Sequence, residues 1–304
     1  MGATSSCCCC SVDAPVVQAS REEGPLPVPA EKLAELEDFA ELPKASAARA
    51  AGESAARGDS AAFGCCSGTL FRSTKLELQR RLALEAHGRA GACIKEDDVK
   101  GALAELELSV KLHPERPDAW AARAAARLLD QNYAGALEDC AEAMDRGGSA
   151  AGIWATRAAA RLAMRDYSGA VSDFTDALAR DPGNGSHLGH RAYSRGAQGD
   201  FQGALDDAAM ALELDDRCAA AWVVKGGARA RLEDFRGARD DCTRALTIDE
   251  KLVGAWSTRA VARLQLGDLD GASRDCEQAL DIDPTTTDAQ RVARRIRALK
   301  EHTD

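Results

Sequence analysis

The residues best placed for chemistry stand together at the start of the chain. Met1 is followed by Gly2 and, at the sixth position, Ser6; then come Cys7, Cys8, Cys9 and Cys10. Glycine after the initiator with serine at that spacing is the pattern of N-myristoylation. One myristoyl chain holds a protein on a membrane only marginally, so stable anchoring takes a polybasic patch or a second acyl group. Arg21 is the only basic residue in the first thirty, which leaves palmitoylation of Cys7 to Cys10 as the available second signal. Two other readings stay open for the thiol run: an unmodified low-complexity tail, and a redox or metal-binding cluster. Metal sites space their cysteines so that the chain can loop around the ion, and no histidine lies near. Cys65 and Cys66 offer a further acylation point or ordinary exposed thiols.

No other constellation suggests catalysis. There is no phosphate-cradling glycine loop preceded by a strand, no pair of histidine ligands, and no Ser or Cys nucleophile beside a fixed base. The expectation is a chain that is not an enzyme and needs no cofactor and no metal. The net charge of −10 argues against a nucleic-acid partner, because neutralising phosphates requires a basic face. No apolar run approaches the roughly 18 residues of a membrane span, and no secretory h-region is present. Free thiols imply a reducing, cytoplasmic location.

The elements that would carry these groups are set by tryptophan. Trp120, Trp154, Trp222 and Trp256 are all the tryptophans of the chain, and they stand on one 34-residue register whose empty point is Leu188. Such a period marks an array in which each unit buries its apolar face only against its neighbours. Sixteen residues past each point stands Ala136, Ala170, Ala204, Ala238 or Ala272; seven further on, Ala143, Ala177, Ala211, Ala245 or Ala279. Thirteen past it comes Tyr133, Tyr167, Phe201, Phe235 or Leu269, just before a small pair such as Ala134-Gly135. Apolar residues at helical spacing (Ala136, Leu137, Cys140, Ala143, Met144) mark the second helix of each unit. Prolines 114, 117, 182 and 284 fall between units, where a missing N–H is tolerated.

This pattern resembles the tetratricopeptide repeat (TPR), a helix–turn–helix unit. The resemblance covers 117–286 and extends, in degenerate form, to 83–116. It implies an all-α fold: a right-handed superhelical α-solenoid of about six repeats (83–116, 117–150, 151–184, 185–218, 219–252 and 253–286) in an array over 70–286. Residues 287–304 then supply a C-terminal capping helix with a polar outer face, or, on a sharper reading, a basic partner-binding helix. Residues 1–10 form the acylation-type terminus. Residues 11–69 form a Pro/Ala-rich tether unable to offset its ordering entropy, except for a short amphipathic stretch at 30–42 carrying Leu33, Leu36 and Phe39.

Charged ladders follow the same register. Arg123, Arg157, Arg191, Lys225 and Arg259 share one position; Asp139, Asp173, Asp207, Asp241 and Asp275 lie sixteen residues later; a third ladder is Arg127, Arg161, Arg195, Arg229 and Arg263. Pairing between the two helices of each repeat is the simplest account, since the planar guanidinium suits partly buried carboxylates. Cys140, Cys242 and Cys276 share a position with Phe174 and Ala208, which marks a packing site rather than a reactive thiol.

The Arg-Ala…Asp-Cys variant resembles TPR domains of co-chaperones, whose Lys/Asn clamp grips the carboxylates of chaperone tails. At the clamp positions this chain has Ala122, Thr156, His190, Val224 and Thr258; Gly91, Ala125, Ala159, Tyr193, Gly227 and Val261; and His87, Ala121, Ala155, Gly189, Val223 and Ser257. The clamp is absent, so chaperone-tail binding by that mechanism is not expected. The inner groove offers instead Ala121, Ala125, Ala155, Ala159, His190, Tyr193, Val223, Gly227, Ser257 and Val261, a surface suited to a partner helix or extended peptide. The alternative is that these small residues serve only close helix packing. The glycine-rich third repeat, with its gap at Leu188, is expected to be the weakest unit. The reading that results is a protein-interaction scaffold lipid-anchored at the cytoplasmic face of a membrane; the alternative is a soluble co-chaperone or assembly factor.

Overall fold

The structure is a computed structural model that describes residues 66–301, with side chains from Leu76 onward. Gly2, Cys7 to Cys10, Cys65 and the stretch 30–42 lie outside the described residues. Among the described residues there is no strand. The helices are α1 (Cys66–Lys95), α2 (Val99–Leu112), α3 (Pro117–Leu129), α4 (Tyr133–Asp145), α5 (Ala151–Ala163), α6 (Tyr167–Arg180) and α7 (Gly185–Gln198). They continue as α8 (Phe201–Leu214), α9 (Ala219–Arg231), α10 (Phe235–Ile248), α11 (Val253–Gln265), α12 (Leu269–Ile282) and α13 (Thr287–Glu301).

The starts of the second helices have a common chemical cause. Asp98, Asp166, Asp200, Asp234 and Asp268 are N-caps whose carboxylates accept the backbone N–H of the glycine three residues on, at 2.8–3.0 Å. A cap of this kind is worth about 1 kcal/mol. The glycine leaves the cap its room: a Cβ on Gly203, Gly237 or Gly271 would meet the capping carboxylate, which would have to shift. Before each of these caps, and before Asn132 in the remaining hairpin, sits a left-handed residue, again 34 apart: Asp97, Gln131, Arg165, Gly199, Glu233 and Gly267, with φ from 60° to 94°. Four of the six carry a side chain, so the turn is imposed by the helices it joins rather than by glycine.

The described chain divides into two compact units, one of residues 66–132 and 141–148, the other of residues 133–140 and 149–301. In the first, α1 and α2 pair as a hairpin and α2 packs on α3, around Ala90, Cys93, Ala102, Leu106 and Ala126. The degenerate repeat keeps a charged rung: Arg89 forks onto Glu105 with bonds of 2.9 and 2.7 Å. The second unit stacks the hairpins α5–α6, α7–α8, α9–α10 and α11–α12, and α13 closes on α11 and α12.

Alanine lets these helices approach. Ala170, Ala204, Ala238 and Ala272 are fully buried, as are Ala177, Ala245 and Ala279, and an enlarged side chain there would overpack a site built to native density. Leu188 fills the empty point of the register at 2 % exposure, packed with Leu178, Ala211, Leu212, Cys218 and Ala221. It lacks the indole N–H that Trp222 and Trp256 donate to Asp216 and Glu250 carbonyls at 2.8 and 2.7 Å. Those indole bonds pin each first helix to the loop before it.

Candidate functional site

The inner face of the second unit is built from the first helices of its hairpins. Ala155 and Ala159 on α5, His190 on α7, Val223 and Gly227 on α9 and Val261 on α11 are all half-buried. Some of them also serve packing: Ala155 lies against Ala158 and Phe174, Val223 against Cys242 and Ala255, and Val261 against Val292 and Ile296. Ser257 is only 6 % exposed. Ala121 and Ala125 belong to α3 of the first unit and are half-buried.

Between α5, α7 and α9 the face opens into a cavity of about 50 Å³, lined by Leu162, Gly189, His190, Tyr193, Cys218, Ala220, Ala221 and Val224. The structure therefore brings together His190 and Tyr193, the two polar residues expected in the groove. Tyr193 is 45 % exposed, and no side chain closes over Gly189 or Gly227. His190 is held rather than free. Its ring stacks on Phe174 with centroids 5.5 Å apart, and its Nδ1 lies 2.8 Å from the Ser186 carbonyl. A carbonyl only accepts, so this bond selects the Nδ1–H tautomer. Leu162, Cys218, Ala220 and Val224 complete the hollow. Sequence reasoning had Val224 only as a missing clamp residue, because the register locates a residue on a helix but not the concavity between three helices.

The charged ladders are spent internally. Arg157, Arg191 and Arg259 each place Nε and Nη2 on Asp173, Asp207 and Asp275, with bonds of 2.7–3.0 Å. The third ladder, left without a role by the sequence, adds an arginine to each site: Arg161, Arg195 and Arg263 reach Asp173, Asp207 and Asp275, and Arg229 reaches Asp241, at 2.8–3.0 Å. They also lie 3.6–3.8 Å from the capping aspartates 166, 200, 234 and 268. One arginine thus ties the turn to the buried carboxylate. The rung at Lys225 differs: its Nζ stands 4.0 Å from Asp241, and burial raises the Asp241 carboxyl above the usual range despite Lys225 and Arg229.

Three thiols of the array are buried and held protonated. Burial pushes Cys140 and Cys242 up to about 12 and Cys276 to about 11, so the nucleophilic thiolate is scarce near neutrality. His87, at a clamp position, is kept below the usual histidine range by burial and then by the charge of Arg116. It therefore offers no cation in place of the clamp lysine. Among the described residues no group of His, Cys, Asp or Glu could hold a metal ion, and no helix is long and apolar enough to cross a membrane.

The family model described as tetratricopeptide repeat matches residues 253–286. No curated protein matches the sequence. Among solved structures, the APC/C hetero-tetramer Cut9–Hcn1 is similar with a TM-score of 0.62 at 16 % identity, over 70 % of this chain but only 42 % of that one. A tetratricopeptide repeat protein from Parabacteroides merdae ATCC 43184 reaches 0.60 at 13 % identity, covering 73 % of this chain and 88 % of its own. YrrB, described as a TPR protein with an unusual peptide-binding site, reaches 0.52 at 17 % identity, over 62 % and 97 %. Likeness at such identities establishes the fold: the array is an α-solenoid of TPR type.

Proposed function

We propose that this TPR-type solenoid is a non-enzymatic protein-interaction scaffold that receives a partner's helix or extended segment on its inner face. Acyl groups on Gly2 and on cysteines of the run Cys7 to Cys10 hold it at the cytoplasmic face of a membrane. The observation that carries the binding reading is the apolar hollow around Tyr193, left open while the Arg–Asp rungs satisfy one another. A half-exposed tyrosine rimmed by apolar side chains is the kind of residue that dominates binding energy at an interface.

The test uses Gly189→Arg. No neighbour stands within 4 Å of a Cβ at this position and arginine favours helix over glycine, so the array stays folded while the hollow is filled. Affinity capture with the full chain should yield partners that Gly189→Arg and Tyr193→Ala both lose; partners retained by both variants overturn the groove reading. The anchor is tested separately by fractionation and by labelling with myristate and palmitate. Gly2→Ala should leave the membrane fraction. A wild-type protein that is wholly soluble, or a Gly2→Ala protein still on membranes, sinks that part.

A further inference from the structure

Helix α1 starts early. Each later first helix begins three residues before its register point, as Pro117 does before Trp120, Ala151 before Trp154 and Ala219 before Trp222. The point 34 residues before Trp120 is Ala86, so the repeat accounts for a first helix from Ala83. Cys66 begins α1 seventeen residues sooner, about 25 Å of additional helix. Its hairpin partner does not reach that far. Near the end of α2, Ser109 donates its hydroxyl to the Ala83 carbonyl at 2.8 Å, and α2 stops at Leu112. The first half of α1 therefore runs on past the hairpin.

This extension differs in charge from the rest of the chain. Residues 66–82 carry Arg72, Lys75, Arg80 and Arg81 against Glu77, a net +3 in a chain of −10. The outer face of the helix also holds apolar side chains: Leu76 is 47 % exposed and Leu84 55 %. Arg80 stands four residues from each of them, exposed and without an ion-pair partner among the described residues. Arg81 has a side chain 73 % exposed and an i,i+4 pair with Glu85, a surface pair of the weak kind. Spacings of four and three residues put Cys66 and Leu70 on the row that continues through 73, 77, 80 and 84. The other side of the helix, with Leu82, Ala83, Ala86 and Ala90, is buried.

We propose that the outer face of the α1 extension is a contact surface for an anionic lipid bilayer. The four cations of the stretch meet the headgroups, and Leu76 and Leu84 enter the boundary with the acyl chains. A nucleic acid would pair the cations but leave the leucines in water; a bilayer surface takes both. The segment that carries Gly2 and Cys7 to Cys10 joins the array at this helix. The contact goes beyond the anchor reading above by supplying the basic signal that the first thirty residues lack. It needs no acyl group, so the two are tested apart.

The experiment uses the full-length chain from a host without N-myristoyltransferase, with mass spectrometry showing no attached lipid. Vesicles of equal parts phosphatidylserine and phosphatidylcholine should sediment the protein, pure phosphatidylcholine should not, and binding should weaken as salt is raised. A cation at an anionic membrane surface is worth roughly fivefold in partitioning, so Arg80→Gln/Arg81→Gln should weaken binding about 25-fold. Leu76→Ser/Leu84→Ser, at exposed positions, should weaken it several-fold. Arg294→Glu/Arg297→Glu, on the basic helix α13, should leave it unchanged. Binding that ignores phosphatidylserine, survives Arg80→Glu/Arg81→Glu, or falls equally in the α13 variant overturns the inference. Binding that is indifferent to Leu76→Ser/Leu84→Ser and matched by duplex RNA makes the face a polyanion site and overturns it as well. Absence of vesicle binding also overturns it, while the acyl anchor is still decided by fractionation of the Gly2→Ala protein.

Discussion

Lys225→Arg should stabilise the protein. At the neighbouring rungs an arginine gives the buried aspartate two bonds, as Arg259 gives Asp275 at 3.0 and 2.8 Å. Lys225 holds its ammonium 4.0 Å from Asp241, leaving that carboxylate one side-chain bond, from Arg229 at 2.8 Å. The aromatic stacking would be kept, since Lys225 lies 4.7 Å over the Trp222 ring and Arg259 the same distance over Trp256. Charge-assisted bonds are worth about 1.5–3 kcal/mol each, and the attraction of the displaced ammonium must be subtracted, so the net gain is about 1–2 kcal/mol. At this chain length that corresponds to a rise in Tm of roughly 2–8 °C.

The pH dependence gives a sharper test. Burial raises the Asp241 carboxyl in the folded protein, so the native state holds this proton more readily than the unfolded chain. Stability from this group is full below the ordinary carboxylate value and is lost as pH rises through the raised one. The arginine variant should escape that loss. Its advantage over wild type, from urea unfolding followed by tryptophan fluorescence, should be largest near neutral pH and shrink toward the ordinary carboxylate range. A variant no more stable than wild type at neutral pH, or one whose advantage does not vary with pH, refutes the reasoning.

Two adjacent glycines should respond oppositely to alanine. A Cβ at Gly226 would lie 2.8 Å from Cys242 Sγ and 3.3 Å from the Ala238 carbonyl, so overpacking exceeds the propensity gain and Gly226→Ala should lose about 1 kcal/mol. Gly227 has nothing within 4 Å, and Gly227→Ala should gain about 0.5–1 kcal/mol; parallel thermal melts that fail to diverge count against the packing. Cys140, Cys242 and Cys276 should resist iodoacetamide in the folded protein at pH 8 and react only in denaturant, as read by mass spectrometry. Because their folded values lie near 11–12, the stability they contribute is present below the ordinary thiol value and lost as pH rises beyond it, by about 1.4 kcal/mol per thiol per pH unit.

Much of the array was legible in the chain because its repeats are in strict phase. The tryptophans, the two alanine columns and the proline punctuation locate the helices within a few residues, and the interchange of Cys with Phe174 and Ala208 foretold burial. The first-ladder pairing also holds, since a separation of sixteen residues across a hairpin brings the two positions together at Arg157–Asp173, Arg191–Asp207 and Arg259–Asp275. The degenerate first repeat hid its own rung, because Glu105 stands where aspartate does elsewhere and Arg89 precedes the tryptophan series.

What the sequence by itself determined is the period, the helical hairpin and the absence of the co-chaperone clamp, all consequences of residue type recurring at fixed spacing. The tertiary structure alone decided how those columns meet. The left-handed turn residues share a conformation but no residue type, so only the closing of each hairpin reveals them. A carboxylate reached by two arginines, a hollow between three helices around Tyr193, and the 4.0 Å gap at Lys225 are distances between elements, which spacing along a chain does not encode. The same is true of the α1 extension. Its charges are legible in the chain, but only the end of α2 beside Ala83 shows where the hairpin stops and an exposed face runs on.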